Sequence, residues 1–225
     1  MISFNEKKQL MEMLPEFFLF TGFEDAASIQ GNGVIEAATV EEVLAASEMG
    51  LGRREIFFTA HTTEEAAAVL GKCRIVADSW EDLVAINEAA KPAAAEGQLT
   101  MVGLRLEAVG HTYNGQAWTT SLLRKKVHDI KQLKAISVCG CIVVADLTGL
   151  HGKALGKYVR SSYQTAKDMT YILPCTMPYI CVGGLLEQMA KNQAEHPETL
   201  TEFTTAANIV GMQNTTAFYA YYYIQ

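Results

Sequence analysis

The sequence contains no cluster of lysine and arginine interleaved with aromatic residues, and its formal net charge is −7 over 225 residues. Nucleic-acid backbones require a basic surface, so we expect no nucleic-acid partner. The longest apolar stretch, residues 135–145, is interrupted by Ser137 and Gly140 and is too short to span a bilayer. No apolar run follows the charged residues 6–8, so no signal peptide is visible. These absences predict a cytoplasmic protein without a membrane partner.

The chain has only five cysteines, an odd number, and most of them stand inside apolar, strand-like runs. This placement predicts buried free thiols in a reducing compartment rather than disulfides. Cys139 and Cys141 form a C-x-C pair, but no second Cys/His pair completes a zinc set. We therefore interpret this segment as a core strand.

Linkers, low-complexity tracts and short internal repeats are also missing. Hydrophobic residues make up 49% of the chain and charged residues 19%, an ordinary globular balance. We predict one domain that covers residues 1–225.

Eight short apolar runs recur along the chain, each rich in β-branched or aromatic residues. Strands that are buried on both faces of a parallel sheet have this composition. The runs are residues 17–21, 33–37, 55–59, 73–77, 101–106, 136–145, 177–182 and 216–224.

Amphipathic segments that read as helices separate these runs. Thr39 is a candidate N-cap with Glu42 as its capping-box partner, and Thr62 and Ser79 open two further helices. Gly50 and Gly71 stand where two helices would stop. The expected helices include residues 40–49, 118–133, 153–170, 185–193 and 200–210, with an extra one at 4–13 before the first strand.

Alternation of eight strands with helices predicts parallel strands joined by right-handed crossovers. Eight of them close naturally, so the predicted fold is α/β: a single (β/α)8 TIM-type barrel with an extra N-terminal helix. An open doubly wound sheet is the structural alternative, but no G-x-G-x-x-G follows the first strand.

Polar side chains are expected to converge at the mouth formed by the C-terminal strand ends. The acidic and histidine residues predicted there, which are the weak metal-ligand candidates, are Glu36, His61, Asp78, Glu107 and Asp146, with His111 and His151 on following loops. Their spacing matches no metal motif, so we expect no metal. Arg105 lies inside a strand and needs a partner, for which Glu36 or Asp78 is preferred. Asp78 and Ser79 also suit a helix-capping turn.

A glycine pair, Gly183 and Gly184, ends the seventh strand and opens a helix at Leu185. Such a turn offers free N–H groups and the positive end of a helix dipole, which suits an anion such as phosphate. A tight turn that needs small residues only for packing is the alternative.

Several segments, taken in chain order, resemble the barrel of the alanine racemase-like superfamily. This is the fold of alanine racemase, of ornithine, arginine and diaminopimelate decarboxylases, and of the small YggS-type PLP-homeostasis proteins. The resemblance implies a barrel that binds pyridoxal phosphate (PLP). The segments similar to the family's second, third, fourth, fifth and seventh strands are residues 33–42, 53–58, 76–83, 102–106 and 179–185.

The chain departs from the family at the residues that run its chemistry. The family's first strand carries the lysine that forms the Schiff base, whereas residues 18–23 contain none, and the following connection looks shortened. Residues 143–146 lack the histidine that stacks on the pyridine ring, and residues 218–222 lack the family's glutamate, proline, glycine and arginine. We also expect the C-terminal β-domain of the decarboxylases to be absent.

These losses predict a degenerate, non-catalytic barrel that binds a phosphate-bearing ligand or a full-length relative. PLP or another phosphate-bearing ligand would be held without a covalent bond, and its candidate contacts are Gly183, Gly184, Leu185 and Arg105. Three alternatives stay open: a PLP-dependent decarboxylase or racemase that uses an unconventional lysine, a metal-assisted barrel enzyme, and a truncated scaffold. The candidate catalytic residues of such an enzyme are Lys153, Lys157 and His151.

The aromatic eighth strand has no helix after it in the sequence. Its outer face must be covered by the leading helix or by a partner subunit. We therefore expect a homo-oligomer.

Overall fold

Eight parallel strands form a closed barrel in chain order, with β1 paired to both β2 and β8. The computed structural model describes residues 2–29, 31, 33–212 and 217–222. The predicted TIM-type barrel with an extra N-terminal helix is confirmed. The strands are β1 (Phe17–Gly22), β2 (Gly33–Ala37), β3 (Ile56–Thr59), β4 (Arg74–Ala77), β5 (Thr100–Glu107), β6 (Ile136–Val144), β7 (Tyr179–Val182) and β8 (Ala217–Tyr221).

Helices alternate with these strands and form the outer layer. A short 3-10 turn, Phe23–Asp25, follows β1. The helices are α1 (Phe4–Glu12), α2 (Ala26–Ile29), α3 (Val40–Glu48), α4 (Thr63–Val69), α5 (Trp80–Ala95), α6 (Thr120–Ile130), α7 (Lys153–Ile172), α8 (Leu185–Glu195) and α9 (Pro197–Met212).

The three predicted N-cap residues are confirmed, but at one of them the return bond from the glutamate side chain goes to a different backbone N–H. Thr62 and Ser79 form complete capping boxes at α4 and α5. Thr39 accepts the N–H of Glu42, but the Glu42 carboxylate accepts the N–H of Ala38 instead of that of Thr39. The predicted reciprocal bond at α3 is therefore wrong by one residue, because the glutamate reaches back a full turn.

Other differences from the sequence prediction lie at element boundaries. Trp118 does not begin α6, because its N–H donates to the Arg105 carbonyl and extends the pairing of β5. α9 spans sixteen residues, longer than the predicted 200–210. Residues 216, 223 and 224 of the predicted eighth strand lie outside the described residues.

Two apolar layers make up the core: one between the barrel and its helices, the other inside the barrel. Rings of Phe20, Phe57, Tyr179, Tyr219 and Tyr221 dominate the inner layer. Phe20 stacks on Tyr221 at 4.0 Å, and Phe57 meets Tyr179 edge-on at 5.1 Å. The interior is consequently a packed aromatic core rather than a channel.

A bulge in β6 makes room for one of these rings. Gly140 has a φ of +73°, a conformation that favours glycine, and the register between β5 and β6 shifts at this point. The Tyr179 ring occupies the space that side chains at Gly140 and Gly103 would need. The two glycines therefore place Tyr179 across the barrel axis.

The leading helix packs against the first strand and against Tyr222, the residue that follows β8. Lys7 of α1 is 1% exposed, and its Nζ donates to Thr21 Oγ1 (2.7 Å), Asp25 Oδ2 (2.8 Å) and Glu24 Oε1 (3.2 Å). The same ammonium stands 4.3 Å from the ring centroid of Tyr222. α1 of the same chain thus covers β1 and Tyr222, while α8 contacts β8, and the homo-oligomer remains a prediction.

All five cysteines are free thiols, and four of them are buried, as predicted. Within the described part of the chain, no helix combines the length and the apolar character needed to cross a membrane.

Candidate functional site

The C-terminal ends of the strands surround a cavity of about 560 Å³, which we call the mouth. Its walls come from β1 to β5 and from the end of β8. The polar residues that line the mouth include Glu24, Glu36, Glu42, His61, Asp78 and Arg105. Four carboxylates therefore share this cavity with a single guanidinium.

Arg105 is the central residue of the mouth and is 5% exposed. Its Nη2 donates to Glu36 Oε1 at 2.7 Å and to Thr59 Oγ1 at 3.2 Å, while its Nε donates to Asp78 Oδ1 at 3.0 Å. The predicted ion pair is confirmed with both candidate carboxylates. Among the described residues, the buried Nη1 of Arg105 has no hydrogen-bond partner.

Burial and charge act in opposite directions on this cluster. Burial disfavours the charged guanidinium, but the charges of Glu36 and Asp78 outweigh it and raise the pKa of Arg105 above its ordinary value. For Asp78, burial is the larger effect and raises the pKa of the carboxyl, with the Arg105 charge opposing it. The cluster thus keeps a permanent cation beside a carboxyl group whose pKa is raised.

Tyr221 closes the mouth towards the barrel interior. Its hydroxyl donates to Glu36 Oε2, and its ring stacks on Phe20. At the end of β1 the inward position is Gly22, and the Glu24 carboxylate occupies the space that a side chain there would need. A lysine at this position of β1 would therefore displace the Glu24 carboxylate.

The other residues predicted at the mouth do not join this cluster. His61 is exposed at the rim and contacts Asp82 at 3.2 Å. Glu107 accepts the backbone N–H of Tyr113, and Asp146 accepts that of Thr148. In the part of the chain that the structure describes, His, Cys, Asp and Glu nowhere gather as a group of three that could hold a metal ion.

The glycine turn after β7 borders a separate, smaller cavity of about 160 Å³. Gly184 has a φ of +69° and precedes the first turn of α8, as predicted, but the Gly183 N–H is already bonded to the Val143 carbonyl. The Leu147 side chain packs against Gly184, and Asp146 lines the same cavity. An anion at this turn would use the N–H groups at the start of α8 and would face a carboxylate.

The three candidate catalytic residues lie outside the mouth. Lys153 is 78% exposed and pairs with Glu202 of α9 at 3.0 Å. Lys157 is exposed on α7. His151 stacks on His196, with ring centroids 4.6 Å apart.

Two cations, Lys7 and Arg74, were not predicted to have a structural role, although each leaves a signal in the sequence. Lys7 shares a helix face with the buried Leu10, and a lysine on an apolar stripe indicates a buried charge. Arg74 occupies the same strand face as Val76. The argument that a strand arginine needs partners applies to Arg74 as it does to Arg105.

Solved structures with the same architecture are decarboxylases and a small barrel protein. The arginine decarboxylase of Paramecium bursaria Chlorella virus superposes with a TM-score of 0.70 and 15% identity, over 96% of this chain and 60% of that one. Diaminopimelate decarboxylase from Helicobacter pylori, complexed with L-lysine, gives 0.69 and 12%, over 97% and 61%. PipY of Synechococcus elongatus, determined without PLP, gives 0.60 and 14%, over 96% of both chains.

The chain therefore has the same (β/α)8 barrel fold as these decarboxylases and PipY. It spans about 60% of the length of the decarboxylases and nearly the whole of PipY. No protein-family model and no curated protein matches the sequence.

Proposed function

We propose that the protein is a non-catalytic barrel of the PLP-decarboxylase fold that binds a phosphate-bearing ligand without a covalent bond. The observation that carries this proposal is the composition of the mouth. No lysine lines it among the described residues, and its only guanidinium is held by two carboxylates. The residues outside the described ranges also include no lysine.

Covalently held PLP does not fit this mouth. A Schiff base needs a lysine amine beside the cofactor, and Lys7 lies behind the wall of the mouth, where it is bonded to Asp25 and Glu24. The inward-facing position at the C-terminal end of β1 is Gly22, and the Glu24 carboxylate occupies the space that a side chain at this position would fill. Carboxylates also outnumber cations around the cavity, which opposes a phosphate dianion there. We therefore assign no chemical step to PLP.

The glycine turn supports the phosphate-ligand part of the proposal. A helix start supplies N–H donors and the positive end of the helix dipole. Leu185 begins an eleven-residue helix, and Lys191 and Thr148 line the same cavity. Arg105, the other candidate contact, is held by Glu36 and Asp78, and we do not assign it to the ligand. Binding at the turn needs no lysine amine.

The absence of Schiff-base chemistry is tested with PLP itself. We expect no saturable one-to-one imine band in the visible spectrum at equimolar PLP, and no PLP adduct by mass spectrometry after borohydride. The matched variant is Lys153→Gln/Lys157→Gln, which removes the candidate lysines. A saturable, reducible band in the parent protein that this variant loses would establish an unconventional lysine and refute the proposal.

A charge change beside the glycine turn tests where phosphate binds. Hydrogen bonds from the Thr148 side chain and, to a smaller extent, from its backbone N–H lower the pKa of Asp146, so this carboxylate is ionised at neutral pH and repels an anion at the turn. We expect Asp146→Asn to tighten the binding of inorganic phosphate by roughly tenfold, measured by isothermal titration. Asp129→Asn, which removes the same charge on α6, is the control and should leave the affinity unchanged. Equal affinities for both variants would exclude the turn.

A further inference from the structure

The N-terminal end of the barrel holds a second cavity, of about 630 Å³, which we call the arginine pocket. It lies between the starts of β4, β5 and β7. Its polar lining includes Arg53, Arg54, Arg74, Gln98, Thr100 and Thr176. No residue of its lining is an aspartate or glutamate. The size is that of a pocket for a small organic molecule.

Arg74 forms the floor of the arginine pocket. It is the first residue of β4, and its guanidinium carbon lies 5.0 Å from the ring centroid of Phe57, 4.7 Å from that of Tyr179 and 5.8 Å from that of Tyr219. Its Nη1 is buried and has no hydrogen-bond partner among the described residues. The aromatic rings stabilise one side of this guanidinium, and its charge, which has no carboxylate partner among the described residues, borders a cavity where an anion could pair with it.

Among the described residues, none that lines the arginine pocket carries a negative charge. Burial raises the pKa of Cys73 to about 12 and the pKa of Cys139 to about 11, so both thiols that line the pocket are uncharged. Glu55, beside Arg54 in the chain, accepts the N–H of Gly52 and does not line the pocket. The two ends of the barrel therefore differ in charge, with carboxylates in excess at the mouth and guanidinium groups at the opposite end.

We propose that the arginine pocket binds a small phosphate-bearing anion. Guanidinium groups match phosphate oxygens in a bidentate geometry, and their weak hydration makes them the preferred cations for this contact. Arg53 and Arg54 are exposed on the loop before β3 and can close over a ligand that Arg74 contacts from below. This site goes beyond the proposed function, because it lies at the end of the barrel remote from both the mouth and the glycine turn.

The test follows a reporter inside the pocket. Met101 lines it, so the ¹³C-methyl resonance of Met101, assigned with Met101→Leu, reports phosphate that binds there and not at the glycine turn. Inorganic phosphate is titrated at constant ionic strength against chloride. In the parent protein the resonance should shift saturably with phosphate. In Arg53→Gln/Arg54→Gln it should shift with an affinity at least about tenfold weaker.

Two further variants make the outcome decisive. Arg124→Gln/Lys125→Gln removes the same charge from exposed positions on α6 and should bind phosphate as the parent does. Arg74→Met keeps an apolar chain over the aromatic rings and should abolish the shift. The absence of a saturable shift in the parent would overturn the proposal, as would equal affinities for the two double variants. A reducible PLP imine would refute the proposed function and leave this result unaffected.

Discussion

Replacing Lys7 with methionine is expected to lower the free energy of unfolding by about 3–5 kcal/mol, which is the typical cost of leaving one partner of a buried ion pair unpaired. The ammonium is 1% exposed and bonds to Asp25, which is itself buried. Methionine preserves the length of the side chain, so the loss reports the unpaired Asp25 carboxylate rather than a cavity. Urea unfolding followed by circular dichroism measures it.

The neighbouring lysine provides the control for this prediction. Lys8 is exposed, and Lys8→Met should change the free energy of unfolding by less than about 0.5 kcal/mol. Lys7→Met/Asp25→Asn should recover part of the loss, because the amide can stay hydrogen-bonded without a buried charge. If the Lys7→Met protein were as stable as the Lys8→Met protein, the bonds that Lys7 makes with Thr21, Glu24 and Asp25 would not be what fixes α1 to the barrel.

The barrel itself follows from local sequence patterns, whereas the mouth depends on side chains that meet across the sheet. Alternation of apolar runs with capped helices is enough to predict eight parallel strands. The hydrophobic period of each element and the capping residue of each helix can be recognised within its own short segment of the sequence. Arg105 was assigned partners correctly, since its two candidate carboxylates stand at the ends of β2 and β4 and parallel strand ends meet at one edge. That inference needs strand order alone.

The features that could not be predicted from the sequence depend on packing between the barrel and its helices and across the barrel interior. The partners of Lys7 are Thr21 and Asp25, fourteen and eighteen residues away, and they become neighbours only when α1 folds back over β1. The arginine pocket depends on Tyr179 crossing the barrel axis, which two glycines on other strands permit. Neither arrangement has a fixed spacing along the chain, so periodicity could not reveal it.

Arg105→Met is the second substitution with a large expected effect, and its size should depend on pH. The change leaves Glu36 and Asp78 facing each other in the mouth without a cation, and we expect a loss of about 3–5 kcal/mol at pH 8. Burial already raises the pKa of Asp78 in the parent protein, and removal of the guanidinium raises it further. A carboxyl whose pKa is raised by folding contributes stability that is complete below its unfolded pKa and is lost as the pH rises through its folded pKa. The loss relative to the parent should therefore be smaller at pH 5 than at pH 8.

A second set of variants separates the unpaired charge from the loss of packing. Arg105→Met combined with Glu36→Gln and Asp78→Asn keeps neither of the two carboxylates that pair with Arg105, so its deficit should be smaller than that of Arg105→Met at pH 8 and should depend less on pH. Arg160→Met, which removes an exposed guanidinium from α7, controls for the overall change of charge. Urea unfolding of all four proteins at both pH values checks the prediction. A deficit of Arg105→Met that stays constant between pH 5 and pH 8 would mean that the two carboxylates find other partners, and that the guanidinium is not what balances the charge of the mouth.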